Sequence, residues 1–171
     1  NTSKPVGNGD LIVISGGARG VTAAVAIEMA KRWKPSLLLL GRSELDEQEP
    51  EWADGVEDQG LSSAYAAASM KQGKKPSLKA LKVEVERLTK AREVRSNLAA
   101  MSDAGATVTY AAVDVRNAES VNAAIEQATK NHGPVRGIVH GAGVLADKLI
   151  VDKTPEQFDH VFGTKVEGLI N

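Results

Sequence analysis

Two stretches of this chain carry residue types that can do chemistry. The first is Ser15-Gly16-Gly17-Ala18-Arg19-Gly20-Val21, with glycines at 16, 17 and 20. Glycines so placed permit a tight turn and let the backbone approach a ligand closely. Backbone N–H groups at a helix start, reinforced by the helix dipole, then form a site for phosphate. The second stretch is Gly41-Arg42-Ser43. A dinucleotide site of the NAD type places an acidic acceptor for the ribose diol at this point. A guanidinium and a hydroxyl instead suit a 2′-phosphate, which Arg binds bidentately, and Arg19 adds a second positive charge. The pattern predicts NADP(H). The alternatives are a turn that binds nothing and, for Arg42, a solvated surface arginine.

The elements that must position these residues follow from hydrophobic pattern. Leu11 to Ile14 is a short, β-branched-rich apolar run, which predicts a buried strand over about 10 to 15. Strong helix formers follow from 19 to 33, with Val21, Val25 and Met29 spaced for a buried face. Leu37 to Leu40 is uninterruptedly apolar, as in a strand covered on both faces. Strand, helix, strand is a βαβ unit. After Gly105 come a strand over 107 to 113, with Tyr110 in its core, and the pair Asp114-Val115. A helix over 117 to 131 follows, then a short buried strand over 137 to 140, then Gly141-Ala142-Gly143. Thr154-Pro155-Glu156 is a capped helix start, and that helix is expected to continue through Phe158 and Val166 to the last residue. The expected fold class is α/β, a Rossmann-type doubly wound parallel sheet, partial at about four strands. Its strand-end turns should converge on one ligand site.

A charged helical insertion over 44 to 102 interrupts this rhythm, far longer than a crossover needs. It opens with Glu44, Asp46, Glu47, Glu49, Glu51, Asp54, Glu57 and Asp58, without a basic residue among them. An alanine-rich helix over 61 to 70 and a Lys-rich loop over 71 to 76 follow. Ser77 then caps a long helix whose apolar positions run from Leu78 to Met101. The acidic portion reads as a solvated loop rather than a metal site. The insertion as a whole is expected to fold against itself, to pack on a neighbouring domain, or to stay partly disordered. Residues 1 to 9, with Lys4-Pro5 and Gly7-Asn8-Gly9, read as a linker.

Composition excludes several function classes. At 171 residues and a net charge of −1, nothing in the balance draws the chain to nucleic acid or to an anionic membrane. The absence of cysteine removes disulfides, thiolate metal sites and a cysteine nucleophile, which fits a cytoplasmic setting. No apolar run approaches the length of a membrane span.

The ordered set Ser15 to Gly20, Leu40-Gly-Arg-Ser43, Asp114-Val115, His140-Gly-Ala-Gly143 and Val161 to Gly168 resembles the short-chain dehydrogenase/reductase family. Within it, the likeness is to ketoreductase domains of polyketide and polyunsaturated-fatty-acid synthases. The resemblance covers the chain except the insertion and implies NADPH-dependent reduction of a 3-ketoacyl thioester held on an acyl carrier protein. The remainder of the ketoreductase and neighbouring synthase domains would be partners. It further implies that Asp114 bonds the adenine amino group, that Val115 lies against the ring, and that Gly141 to Gly143, entered from His140, line the nicotinamide ribose. Lys165, in Lys-Val-Glu-Gly, would be the catalytic lysine that binds ribose and lowers a tyrosine pKa. Asp147 sits where one stereochemical type carries an Asp, but with Ala146 before it the match is partial.

The chain departs from that pattern in two further places. Thr22 stands where the family's last glycine is expected. The Ser/Tyr pair that completes such a site is absent, since Tyr65 lies in the insertion and Tyr110 in a strand. The expectation is therefore an N-terminal portion of a ketoreductase, inactive alone, with that pair beyond residue 171. The competing readings are a non-catalytic reductase-like subdomain, another NADP-dependent member of the family, and an S-adenosylmethionine-dependent methyltransferase. Arg42-Ser43 argues against the methyltransferase.

Overall fold

The computed structural model describes residues 6–46 and 48–171, so Lys4-Pro5 and Glu47 lie outside the described residues. The chain divides into two compact units, residues 1–42 with 96–171, and residues 43–95.

The first unit is built on four parallel strands, β1 (Leu11–Ser15), β2 (Ser36–Gly41), β3 (Thr107–Ala112) and β4 (Val135–His140), in the order β3-β2-β1-β4. The two central strands are buried at nearly every position, as their unbroken apolar runs require. Leu11, Val13, Leu38 and Leu40 share one face with Val115 and with Val121 and Ala128 of helix α4 (Ala118–His132). This is a Rossmann-type α/β sheet. The order places the reversal of winding between β1 and β4, where such sheets open a crevice for ligands.

Three expectations are corrected here. Helix α1 (Gly20–Trp33) buries Ala23, Ala26 and Ala30, whereas Val21 is 83% exposed and Val25 45% exposed. The small alanines form the packed stripe, and the valines face outward. Strand β4 is not buried on both faces: it is outermost in the sheet, and Ile138 is 64% exposed. Tyr110 is half-buried in the flanking strand β3, with its ring against Gly41 at the end of β2.

Helix α5 (Pro155–Phe162) opens with the expected capping box between Thr154 and Gln157. It does not continue as one α-helix. A π-helical turn spans Gly163–Glu167, and a short helix α6 closes the chain at Gly168–Ile170. The Thr164 hydroxyl donates back to the His160 carbonyl at 2.8 Å, a side-chain bond of the kind that perturbs regular helix.

The second unit folds against itself. It holds 3-10 turns at Glu51–Ala53 and Asp58–Gly60, helix α2 (Leu61–Lys71) and the N-terminal part of helix α3 (Leu78–Asp103). Its small core is Ala53, Leu61 and Leu88, flanked by Trp52, Val56 and Val85, and Tyr65 meets Trp52 edge to face at 5.2 Å. The acidic stretch is not wholly a solvated loop. Arg92 donates to Glu49 and Asp58, both at 2.7 Å, and to the carbonyls of Val56 and Ala53, while Arg87 binds Asp46. Arginines on α3 thus order the carboxylates that the sequence left without a frame. Among the described residues no group of acidic and histidine side chains has metal-site geometry, and no helix is long and apolar enough to cross a membrane.

Candidate functional site

The two glycine turns meet backbone to backbone. β1 and β4 are neighbours, Gly141 N–H donates to the Ser15 carbonyl at 2.9 Å, and Gly16 N–H donates to the Leu40 carbonyl at 2.8 Å. Gly16 takes φ +65°, and a Cβ there would lie 2.8 Å from the Gly141 carbonyl oxygen and 2.9 Å from the Ala142 nitrogen. No side chain fits. A Cβ on Gly17 would meet Ile14 at 2.5 Å, so that glycine serves close helix–strand packing. At Gly141 the same space is filled by the Thr22 side chain. The residue that departs from the family's glycine pattern is therefore accommodated by a glycine on the facing turn.

Ser15 ties the turns together from below. Its hydroxyl accepts from Ala142 N–H at 3.2 Å and lies 2.8 Å from His140 Nδ1.

The N-terminus of α1 differs from those of the capped helices α4 and α5. Its N-cap, Arg19, is extended at φ −146° and makes no side-chain cap, and the first turn carries no acidic residue. By contrast α4 is capped by Asn117 with Glu119 in its first turn, and α5 by Thr154 with Glu156. Gly20 adopts φ +59° with open space where its Cβ would be, so its need is conformational and leaves room in front of the helix. Val21, at the head of the helix, is exposed, and Ala18 is buried beneath the turn.

The ends of β2 and β3 supply the charged side. Arg42 is exposed next to Gly41, and Ser43 begins the second unit. The Asp114 carboxylate is gripped by Arg116, whose Nη2 donates at 2.7 Å and whose backbone N–H donates at 3.0 Å. That guanidinium holds the Asp114 pKa down at about 2 against the opposing effect of burial, and the positive charge of Arg42 adds a smaller pull. The side chain of Val115 is 4% exposed and belongs to the core, and its carbonyl accepts from Asn171 at 3.0 Å.

Lys165 lies in the π-helical turn, a feature that recurs at functional sites. Its ammonium reaches the β4 turn: a Cβ on Gly143 would stand 3.1 Å from Lys165 Nζ. Lys148, Lys153 and Asp147 are exposed. Three residues near these turns were not anticipated: Tyr110 against Gly41, Arg116 on Asp114, and Asn97, whose amide donates to the Ala18 carbonyl at 2.9 Å. Only Arg116, two positions from its partner, had a local sequence signal.

The KR domain family model matches residues 11–171. A polyunsaturated fatty acid synthase polypeptide of Thraustochytrium sp. is 39% identical over 98% of this chain, which spans 6% of that protein. A crystal structure of a ketoreductase domain from the bacillaene assembly line superposes with a TM-score of 0.65 at 25% identity, over 99% of this chain and 30% of that one. A short chain dehydrogenase from Mycobacterium paratuberculosis bound to NAD shares the fold at a TM-score of 0.62 and 20% identity, over 94% of this chain and 46% of the other.

Proposed function

The chain belongs to the KR domain family, and on that footing we propose that it is the cofactor-binding part of an NADPH-dependent ketoreductase within a multidomain synthase. The substrate of this reading is a 3-ketoacyl thioester on the phosphopantetheine arm of an acyl carrier protein, reduced to the 3-hydroxyacyl thioester. Neighbouring synthase domains are the further partners.

The observation that carries the reading is the pairing of two unlike surfaces at the winding reversal. On one side, abutting glycine turns meet at the start of α1, whose N-cap makes no side-chain cap and whose first turn carries no carboxylate to repel a pyrophosphate. On the other, Arg42 stands where a carboxylate would accept from an unphosphorylated ribose. The cradle fits a dinucleotide: side chains are excluded at Gly16 and Gly141 by contact, and Gly20 opens onto free space.

Each residue then has a task. Gly16 to Val21 hold the pyrophosphate, and Arg42 with Ser43 hold the 2′-phosphate, assisted by Arg19. Asp114 presents a carboxylate to the adenine amino group and is kept ionised by Arg116. Val115, buried, forms the floor beside it. Gly141 to Gly143, fixed by Ser15 and His140, line the nicotinamide ribose, and Lys165 donates to that ribose from across Gly143. Bound NADPH supplies the hydride. Lys165 places a positive charge beside the site where the carbonyl oxygen gains negative charge, and so favours proton delivery from an acid.

Calorimetric titration with NADPH and NADH tests the proposal. NADPH should bind at least about tenfold more tightly, the worth of one charge-assisted hydrogen bond. Equal affinities, or no binding of either, would overturn it.

A further inference from the structure

We propose that Asn97 is a positioning residue for the phosphate turn, acting through the Ala18–Arg19 peptide; this rests on reading that turn as the pyrophosphate site. Asn97 lies near the C-terminal end of α3, three residues after buried Val94 and four before buried Met101. A polar side chain therefore occupies the stripe that is otherwise the helix's apolar face. Its Nδ2 donates to the Ala18 carbonyl at 2.9 Å, in a half-buried setting. A carbonyl can only accept, so the amide is oriented with its NH2 toward the turn.

The consequence follows from peptide geometry. In a trans peptide the C=O and the next N–H point in opposite directions. Holding the Ala18 carbonyl toward α3 turns the Arg19 N–H the other way, to the front of α1. The other end of Arg19 is fixed as well, because its carbonyl accepts from Ala23 N–H at 3.3 Å, which opens the helix. Arg19 thus has both flanking peptides set, one by the helix it caps and one by Asn97. Without Asn97 the Ala18–Arg19 peptide, preceding a glycine at φ +59°, can rotate and take an N–H away from the anion. Asn97 and Ala18 both belong to the sheet unit, so the bond lies within that unit.

Two substitutions test this. Asn97→Ala keeps a good helix former and removes the donor. Asn97→Asp keeps the shape and sets a carboxylate against the Ala18 carbonyl. Affinities for NADPH, NADH and adenosine 2′-monophosphate are measured with each, together with the backbone amide resonance of Arg19. Asn97→Ala should weaken NADPH and NADH by the same factor, about tenfold for one lost hydrogen bond. Adenosine 2′-monophosphate, which lacks the pyrophosphate, should change less than about twofold, and Asn97→Asp should weaken both dinucleotides more than Asn97→Ala. The Arg19 amide resonance should shift while those of β1 and β2 do not. In the full synthase chain the cofactor KM should rise with kcat held. Unchanged dinucleotide affinity, or an equal loss for adenosine 2′-monophosphate, overturns the inference. Should the parent chain bind neither dinucleotide, the proposed function fails by itself. The Arg19 amide resonance then decides Asn97: a shift on Asn97→Ala supports the positioning role, and an unchanged resonance overturns it.

Discussion

The two compact units reach order by different physics. The sheet unit is held by two central apolar strands buried on both faces, and its site residues are placed by backbone hydrogen bonds and by glycines that tolerate no Cβ. The insertion unit has a core of only a few apolar side chains. Arg87 and Arg92 do the ordering there, by drawing in Asp46, Glu49 and Asp58. Burial of apolar surface is not weakened by charge screening or by protonation, whereas ion pairs are weakened by both. The scaffold that carries the candidate chemistry is thus the robust unit, and the insertion is the conditional one.

Substitutions at the glycine turns should break this contrast hardest. Gly16→Ala meets both a strained φ and the Gly141 carbonyl, and should cost about 3 kcal/mol of stability and abolish measurable dinucleotide binding. Thermal unfolding and NADPH titration would read the two losses.

Arg92→Leu should act on the other unit alone. Arg92 is 22% exposed, and its loss leaves Glu49 and the carbonyls of Ala53 and Val56 without their donor. A destabilisation of about 2 kcal/mol is expected. Hydrogen exchange should report it in α2 and the first half of α3 while β1 and β2 keep their protection. Uniform deprotection would show that the units are one cooperative structure.

Arg42→Ala tests function rather than folding. NADPH affinity should fall about tenfold to a hundredfold with NADH affinity unchanged, since in the proposed reading the guanidinium binds only the 2′-phosphate. An equal loss for both cofactors would assign Arg42 to the shared part of the ligand.

Acid gives the smallest and most gradual effect. Arg92 lowers the Glu49 pKa from its ordinary 4.5, and Arg116 lowers that of Asp114 from 3.8 to about 2. A depressed carboxyl contributes stability above its unfolded pKa and loses that contribution as pH falls through the folded one. Both contributions are therefore intact at neutral pH. That of Glu49 begins to fall below about pH 4.5, and that of Asp114 is lost between about pH 4 and pH 2. Hydrogen exchange across this range should show the insertion loosening before the sheet. Raising salt at neutral pH should tilt the balance in the same direction.

Much of the fold was legible because its signals are local. Leu11 to Ile14 and Leu37 to Leu40 read as strands covered on both faces from their short apolar runs, and Thr154-Pro155-Glu156 marks a helix start by itself. Errors arose where a neighbour decides the outcome. Val21, Val25 and Met29 have helical spacing, yet the sheet is approached by Ala23, Ala26 and Ala30, because close packing selects small side chains over apolar ones. Strand β4 is apolar enough to be buried, but its place at the sheet edge leaves Ile138 uncovered. The π-helical turn at Lys165 has no counterpart in the hydrophobic pattern.

By itself, the sequence determined the α/β alternation, the glycine turn at a helix start, and a basic rather than acidic residue after β2. Each depends on residues adjacent in the chain, where steric preference and side-chain type act directly. Only the tertiary structure decided that the β1 and β4 turns exclude each other's side chains, that Arg116 grips Asp114, and that Asn97 reaches Ala18 from α3. Most of those contacts join residues far apart in sequence, and even the short step from Arg116 to Asp114 needs a folded loop. Their geometry exists only once the sheet has set its strand order.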